Sequence, residues 1–196
     1  MKDINNLSTL KGRIEDGGKE TSVTGLSGSA QSYFFSQFLS DLKNPCLVVL
    51  PDKKDAERLF KELSFYMSVP DTQIQPEDVR LYEFPPYDIS PLTGISPHRE
   101  IVSRRLEALY ALMTNRRAVV VTSLEAASYR ILPKEALVKS LEYFEIGEEV
   151  DREHLITRLE INGYQRVSIA EERGDYSVRG GVIDVFSPLY PLPTRL

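Results

Sequence analysis

Residues 23–35 read VTGLSGSAQSYFF, a short β-branched run that passes through two glycines into an aromatic-rich stretch. Strand, glycine-bearing turn and helix in that order is the setting of a phosphate-binding loop, whose pattern is G-x-x-x-x-G-K-[ST]. Counted from Gly25, Gly28 lies inside the loop and Ser32 falls on the hydroxyl position, but Ala30 stands where the last glycine belongs and Gln31 where the lysine belongs. The lysine brings charge to the β- and γ-phosphates, and the glycine lets the backbone approach them. A neutral Gln31 cannot stabilise a transferring phosphoryl group, a loss of roughly 3–4 kcal/mol. Ala30 would crowd the cradle if that position needed a positive φ. Gly25, Gly28, Ala30, Gln31 and Ser32 therefore read as a degenerate phosphate loop without catalysis. A plain strand-to-helix turn and a weak anion site at the helix N-terminus are the other readings.

Outward from this stretch, β-rich runs alternate with helical patterns: TSVTG (21–25), CLVVL (46–50), VRLYEF (79–84) and AVVVTS (118–123). That alternation predicts a parallel sheet with crossover helices. Residues 30–42 should lay Tyr33, Phe34, Phe38, Leu39 and Leu42 on the sheet, and the helix after Asp52 should bury Ala56, Leu59, Phe60 and Leu63. The segment FPPYDISPLTGISP (84–97), with Pro85, Pro86, Pro91 and Pro97, must be a loop. The helix that follows places Ile101, Leu106, Leu109 and Leu112 on one face. Tyr82, Phe84 and Tyr87 could stack on a base, although the PPYD stretch more often anchors a loop to its own domain. His98, at the helix start, suits capping better than catalysis.

Beyond Thr122 the pattern changes. LEYFEIGEEV reads as strand and acidic turn, DREHLITRLEINGY as a helix stopped near Asn162-Gly163, and QRVSIAEERGDYSVRGGVIDVFSP as strands broken at ERGD and RGG. Residues 1–130 are thus expected to form an α/β, RecA/helicase-like domain, and residues 131–196 a small α+β domain. The final PLPTRL reads as a cut end with no closing element.

Composition narrows the classes further. A 41% hydrophobic, 27% charged chain of 196 residues is ordinary globular material. Its apolar runs are strand-sized, far short of the roughly 20 residues that span a bilayer. With neither a span nor an apolar leader, the expected setting is cytoplasmic. The single Cys46 excludes an internal disulfide, and with only His98 and His154 beside it no nitrogen–sulfur metal cluster can be assembled. No cofactor is expected. A net charge of -5 leaves no general basic field to hold a phosphate backbone, which argues against free DNA or RNA as the main ligand.

The stretches FPPYDISPLTGISPHREIVSRRLEALYAL, AVVVTSLEAA and GYQRVSIAEERGDYSVRGGVIDVFSP closely resemble the N-terminal UvrB-like module of bacterial transcription-repair coupling factors (Mfd), and UvrB shares the layout. The resemblance implies a helicase-like first domain without a working ATP site, joined to a small domain that docks on UvrA. The segment 84–97 is too short for the aromatic hairpin that UvrB inserts under a DNA strand. Position by position, the resemblance places Arg166 and Arg179 where UvrB has arginines implicated in holding UvrA, with a third such position falling on Ser177. Arg173 would complete a basic patch on one sheet face. Phe186 is either an interface aromatic or, within VIDVF, a core residue. The bland alternative pairs the arginines with Glu171, Glu172 or Asp175, each pair worth under about 1 kcal/mol if exposed. The implied partners are UvrA and the remainder of a longer parent that masks the module, with RNA polymerase and DNA met only through that parent. A UvrB-type helicase fragment is the competing assignment.

Overall fold

The structure is a computed structural model that describes residues 7–15, 20–39, 43–68, 79–90, 93–115 and 117–196. Cys46–Leu50 (β1), Arg80–Phe84 (β2) and Ala118–Ser123 (β3) form a parallel sheet in the order β1-β3-β2. Every residue of β3 is buried, as an apolar central strand covered on both faces should be. On one face Val119 and Val121 join Val48 and Leu50 beneath the helices Ala30–Leu39 (α2) and Lys53–Ser68 (α3). On the other, Val120 packs with Phe84 and Ala108 beneath Arg99–Thr114 (α4). The molecule is therefore a mixed α/β protein with a parallel sheet and flanking helices.

The helical periodicity held well for α3. Asp52 receives the Asp55 N–H through its side chain at 2.8 Å and so starts the helix, and Ala56, Leu59 and Leu63 are buried as their spacing predicts. Phe60 is only half-buried; in α2 Leu39 is buried and Phe34 and Phe38 are half-buried, but Tyr33 is 54% exposed rather than laid on the sheet, and Leu42 lies outside the described residues. In α4 the expected apolar face is displaced. Ser103, Arg105, Ala108 and Ala111 are the buried positions, while Ile101, Leu106, Leu109 and Leu112 are only partly covered. Small side chains take the line of closest approach to the sheet, and the leucines flank it. His98 caps this helix, its Nδ1 accepting the Glu100 N–H at 3.2 Å.

Three expectations are corrected. Residues 21–25 form no strand. They run as exposed, irregular backbone, with Val23 46% exposed, so the described sheet begins at β1. Residues 141–150 form no strand either; nearly all are exposed, and the stretch contains a turn at Gly147 (φ +91°). The PLPTRL segment does carry a pairing element. Thr194–Arg195 (β7) pairs antiparallel with Val182–Val185 (β6), and Ile183 and Leu196 exchange backbone hydrogen bonds. The short helices Leu7–Glu15 (α1), Leu124–Ser128 (α5) and Lys134–Lys139 (α6) had no clear sequence signal.

The second sheet runs β4-β5-β6-β7, where β4 is Gln165–Arg166 and β5 is Asp175–Arg179. The β5–β6 hairpin turns at Gly180, whose φ of +59° favours glycine. Arg152–Ile161 (α7) is capped by Asp151, which accepts the Glu153 and His154 N–H groups at 3.0 Å, and it ends at Asn162-Gly163. Its Leu155 and Leu159 pack on Tyr176, Ile183 and Val185, a core separate from those of the first sheet. Among the described residues no helix is long and apolar enough to cross a membrane, and no group of acidic, histidine or cysteine side chains is placed to hold a metal ion.

Candidate functional site

The loop ahead of α2 has the backbone of a tight turn. Gly25 (φ +85°) and Gly28 (φ +57°) take left-handed conformations. The N–H groups of Ala30 and Gln31 donate to Ser27 O and Gly28 O, both at 3.3 Å, so they are spent inside the turn. Ala30 is the first residue of the helix and no described non-glycine residue has a positive φ. The anticipated steric block through Ala30's backbone therefore does not arise. At the third position Ser32 is buried, and its hydroxyl donates to the Glu62 carboxylate of α3. That contact ties α2 to α3 and puts a negative charge beside the turn.

Arg105 lies at the carboxyl ends of β2 and β3, where doubly wound sheets usually carry ligands. It is 3% exposed. Its Nη1 donates to Pro85 O at 2.7 Å, and its guanidinium lies 3.8 Å from the Phe84 ring centre and 4.2 Å from that of Tyr87. Tyr87 in turn meets Tyr129 edge-on at 5.4 Å. Phe84 and Tyr87 are thus occupied in fastening the proline loop to its own domain and are lost to the base-stacking alternative, and Tyr82 is partly buried against the same core.

The arginines of the second sheet are divided by the strand register. Arg166 pairs with Tyr176 across β4 and β5, and paired residues share a face, so it stands on the α7 side. There burial, and then the Glu160 carboxylate that accepts the Tyr176 hydroxyl at 2.8 Å, raise the Tyr176 pKa above its ordinary value, with the Arg166 charge as the smallest, opposing influence. Arg179, by alternation from Tyr176, stands on the opposite side with Ser177 and Asp184. Arg173 is tied to Glu107 of α4 at 3.3 Å with 18% of its side chain exposed. The expected patch of Arg166, Arg173 and Arg179 on one sheet face is therefore not formed. The pairs that do form are also not those of the bland alternative, because Asp175 binds Arg99 at 2.6 Å and Arg179 binds Asp184 at 3.3 Å. Phe186 is half-buried, outside the core of α7 and the sheet, and its backbone pairs with Asp175 across β5 and β6.

The open face has a cation that the sequence reading passed over. Arg195 of β7 grips Asp184 in bidentate fashion, Nε to Oδ1 at 2.7 Å and Nη2 to Oδ2 at 3.1 Å. Asp184 consequently titrates below the ordinary carboxylate range, chiefly through the hydrogen bond from Arg195; burial opposes it next, and the charges of Arg195 and Arg179 add to the lowering. A groove of about 520 Å³ runs over this cluster, walled by Ile169, Leu192 and Pro193. No local pattern announces Arg195; only the β6–β7 pairing brings it beside Asp184.

Residues 143–196 match the family described as the UvrB interaction domain. The chain is 32% identical over 180 residues to the transcription-repair-coupling factor of Myxococcus xanthus, covering 91% of this chain and 15% of that protein. It is 29% identical over 179 residues to that of Escherichia coli (strain K12), with the same coverage. Against UvrABC system protein B of Citrobacter koseri it is 29% identical over 187 residues, covering 92% of this chain and 27% of that protein. The resemblance carried by the SPHREIVSRRL and RGGVIDVFSP stretches is borne out. The chain spans 15% of the length of the coupling factors it matches.

Proposed function

We propose that this chain, a relative of transcription-repair-coupling factors along 91% of its length, is a non-catalytic docking module that recruits UvrA in nucleotide excision repair. The observation that carries the reading is where the UvrB interaction match falls: residues 143–196 hold the whole second sheet, including Arg179 and the groove beside it. Residues 1–130 act as a helicase-derived scaffold with a degenerate phosphate loop, and residues 131–196 as the UvrA-binding domain. Arg179 is the principal contact, 56% exposed at its side chain, and Arg166, exposed on the edge strand β4, contributes from the rim. Phe186 adds an aromatic to the open face, whereas Arg173 serves as an internal strut to α4. Within a longer parent, the same surface is covered by an internal contact until RNA polymerase engagement opens it at a stalled transcription complex. Arginine suits such a handle because its planar fork binds carboxylates bidentately and stays charged.

The test is a titration of purified UvrA against the wild-type chain, Arg179→Ala and Arg166→Ala. Arg179→Ala should weaken binding at least tenfold and Arg166→Ala less. Absence of binding by the wild type would remove the function, and equal binding by wild type and Arg179→Ala would remove the site.

A UvrB-type helicase fragment is the second reading, favoured by the 29% identity to UvrABC system protein B. Gln31, which supplies no cation to a phosphate, and the Glu62 carboxylate beside the turn, which repels one, argue against it. Calorimetry with magnesium-ATP should register no heat with the wild type, because Gln31 brings no charge to the phosphates. Micromolar binding by the wild type would reinstate the helicase reading.

A further inference from the structure

Arg195 and Arg179 approach one carboxylate from two strands. The register runs Ser177↔Asp184↔Arg195 straight across β5, β6 and β7, so the three side chains share the face away from α7, covered at Ser177 and opening to solvent toward Arg195, and Arg179 follows two residues along β5. Two guanidinium groups on a single Asp184 leave one positive charge uncompensated within the cluster. Neither cation is buried by the arrangement, since the side chains of Arg179 and Arg195 are 56% and 69% exposed while Asp184 is 13% exposed. Arg179 engages Asp184 through Nη2, and Arg195 through Nε and Nη2. Each fork thus keeps N–H donors facing solvent. Beside this charge stand exposed aliphatic side chains, Ile169 at 54% and Leu192 at 72%, forming with Pro193 the walls of the groove. A fixed cation pair beside an apolar trough is complementary to an acidic side chain with an aliphatic neighbour on an extended or helical segment.

We infer that Arg195 and Arg179, held together across Asp184, form a carboxylate clamp that receives an aspartate or glutamate of the docking partner while Ile169 and Leu192 receive the aliphatic residue next to it. This deepens the docking function proposed above and rests on it. Asp184 acts as a positioning residue: it pre-orders both forks, so less side-chain freedom is lost when the partner carboxylate arrives. The clamp also supplies the open face with a second arginine from β7, on the strand line whose β5 position is Ser177.

The experiment titrates UvrA against the 196-residue chain as wild type, Arg195→Ala, Arg195→Lys, Ile169→Asp and Arg179→Ala, with a thermal melt of each to verify folding. Arg195→Ala and Ile169→Asp should each weaken binding tenfold or more. Arg195→Lys should recover part of the loss, because an ammonium keeps the charge without the fork. Wild-type affinity in Arg195→Ala and Ile169→Asp, with Arg179→Ala weakened, would overturn the clamp and leave the docking function standing. No binding by the wild type would overturn the docking function and the clamp with it.

Discussion

Arg105 is a buried cation without a carboxylate beside it among the described residues. Its charge is met instead by Pro85 O and by the faces of Phe84 and Tyr87, while Nη2 is buried without a hydrogen-bond partner. Burial lowers its pKa from the ordinary arginine value, and the side chain stays because it ties α4 to the loop that leaves β2. Arg105→Ala should destabilise the protein by about 2–4 kcal/mol in urea unfolding, through loss of a charge-assisted hydrogen bond, aromatic contacts and packed volume. A loss below about 0.5 kcal/mol would show that the proline loop is held by other means. The sequence disclosed that the PPYD stretch anchors its own domain, but not which cation anchors it. Arg104 and Arg105 are neighbours in sequence, and only helix phase against the sheet sends Arg105 inward while Arg104 reaches Glu83 and Glu100 outside. Ser32 and Glu62 illustrate the same limit. Each was visible in its own helix, yet their contact spans 30 residues.

At the scale of elements, α4 is the joint between the two sheets. One side lays Ala108 against Val120 and Phe84. Another sends Arg99 to Asp175 and Glu107 to Arg173, so two ion pairs reach the turn and first residue of β5. The Arg99–Asp175 pair is the stronger candidate for a measurable coupling. It is short, the Asp175 side chain is only 8% exposed, and Asp175 also accepts the Glu172 N–H at 3.1 Å. A double-mutant cycle of Arg99→Ala and Asp175→Ala should give a coupling of about 1 kcal/mol or more. The exposed Arg58–Asp55 pair within α3 should give under about 0.5 kcal/mol in the same assay. Similar values for both would mean that the α4–β5 bridge is no better than a surface pair. The missed face of α4 has the same origin as its bridging role. Large apolar residues dominate a periodicity count, whereas close packing of a helix on a sheet selects alanine and serine at the centre.

For the whole molecule, charge is distributed against the function it is proposed to serve. A net charge of -5 gives no long-range attraction to an acidic surface, so recognition must come from a local pair of guanidinium groups at contact distance. Association with UvrA should then proceed at an unsteered rate, on the order of 10⁵–10⁶ M⁻¹s⁻¹, and change little between low and moderate salt. Dissociation should accelerate as salt screens the clamp. A steep fall of the association rate with ionic strength in surface-plasmon measurements would contradict this. Strands β1, β2 and β3, the helices α3 and α7 and the RGG hairpin were settled by sequence alone, because hydrophobic period, caps and glycine turns act over a few residues. The irregular course of residues 21–25, the pairing of β7 with β6, the strut role of Arg173 and the meeting of Arg179, Asp184 and Arg195 were decided only by the tertiary structure. Each depends on which strand edge finds a partner and which face a register turns outward, and a one-residue change of register would reverse the outcome without altering any local propensity.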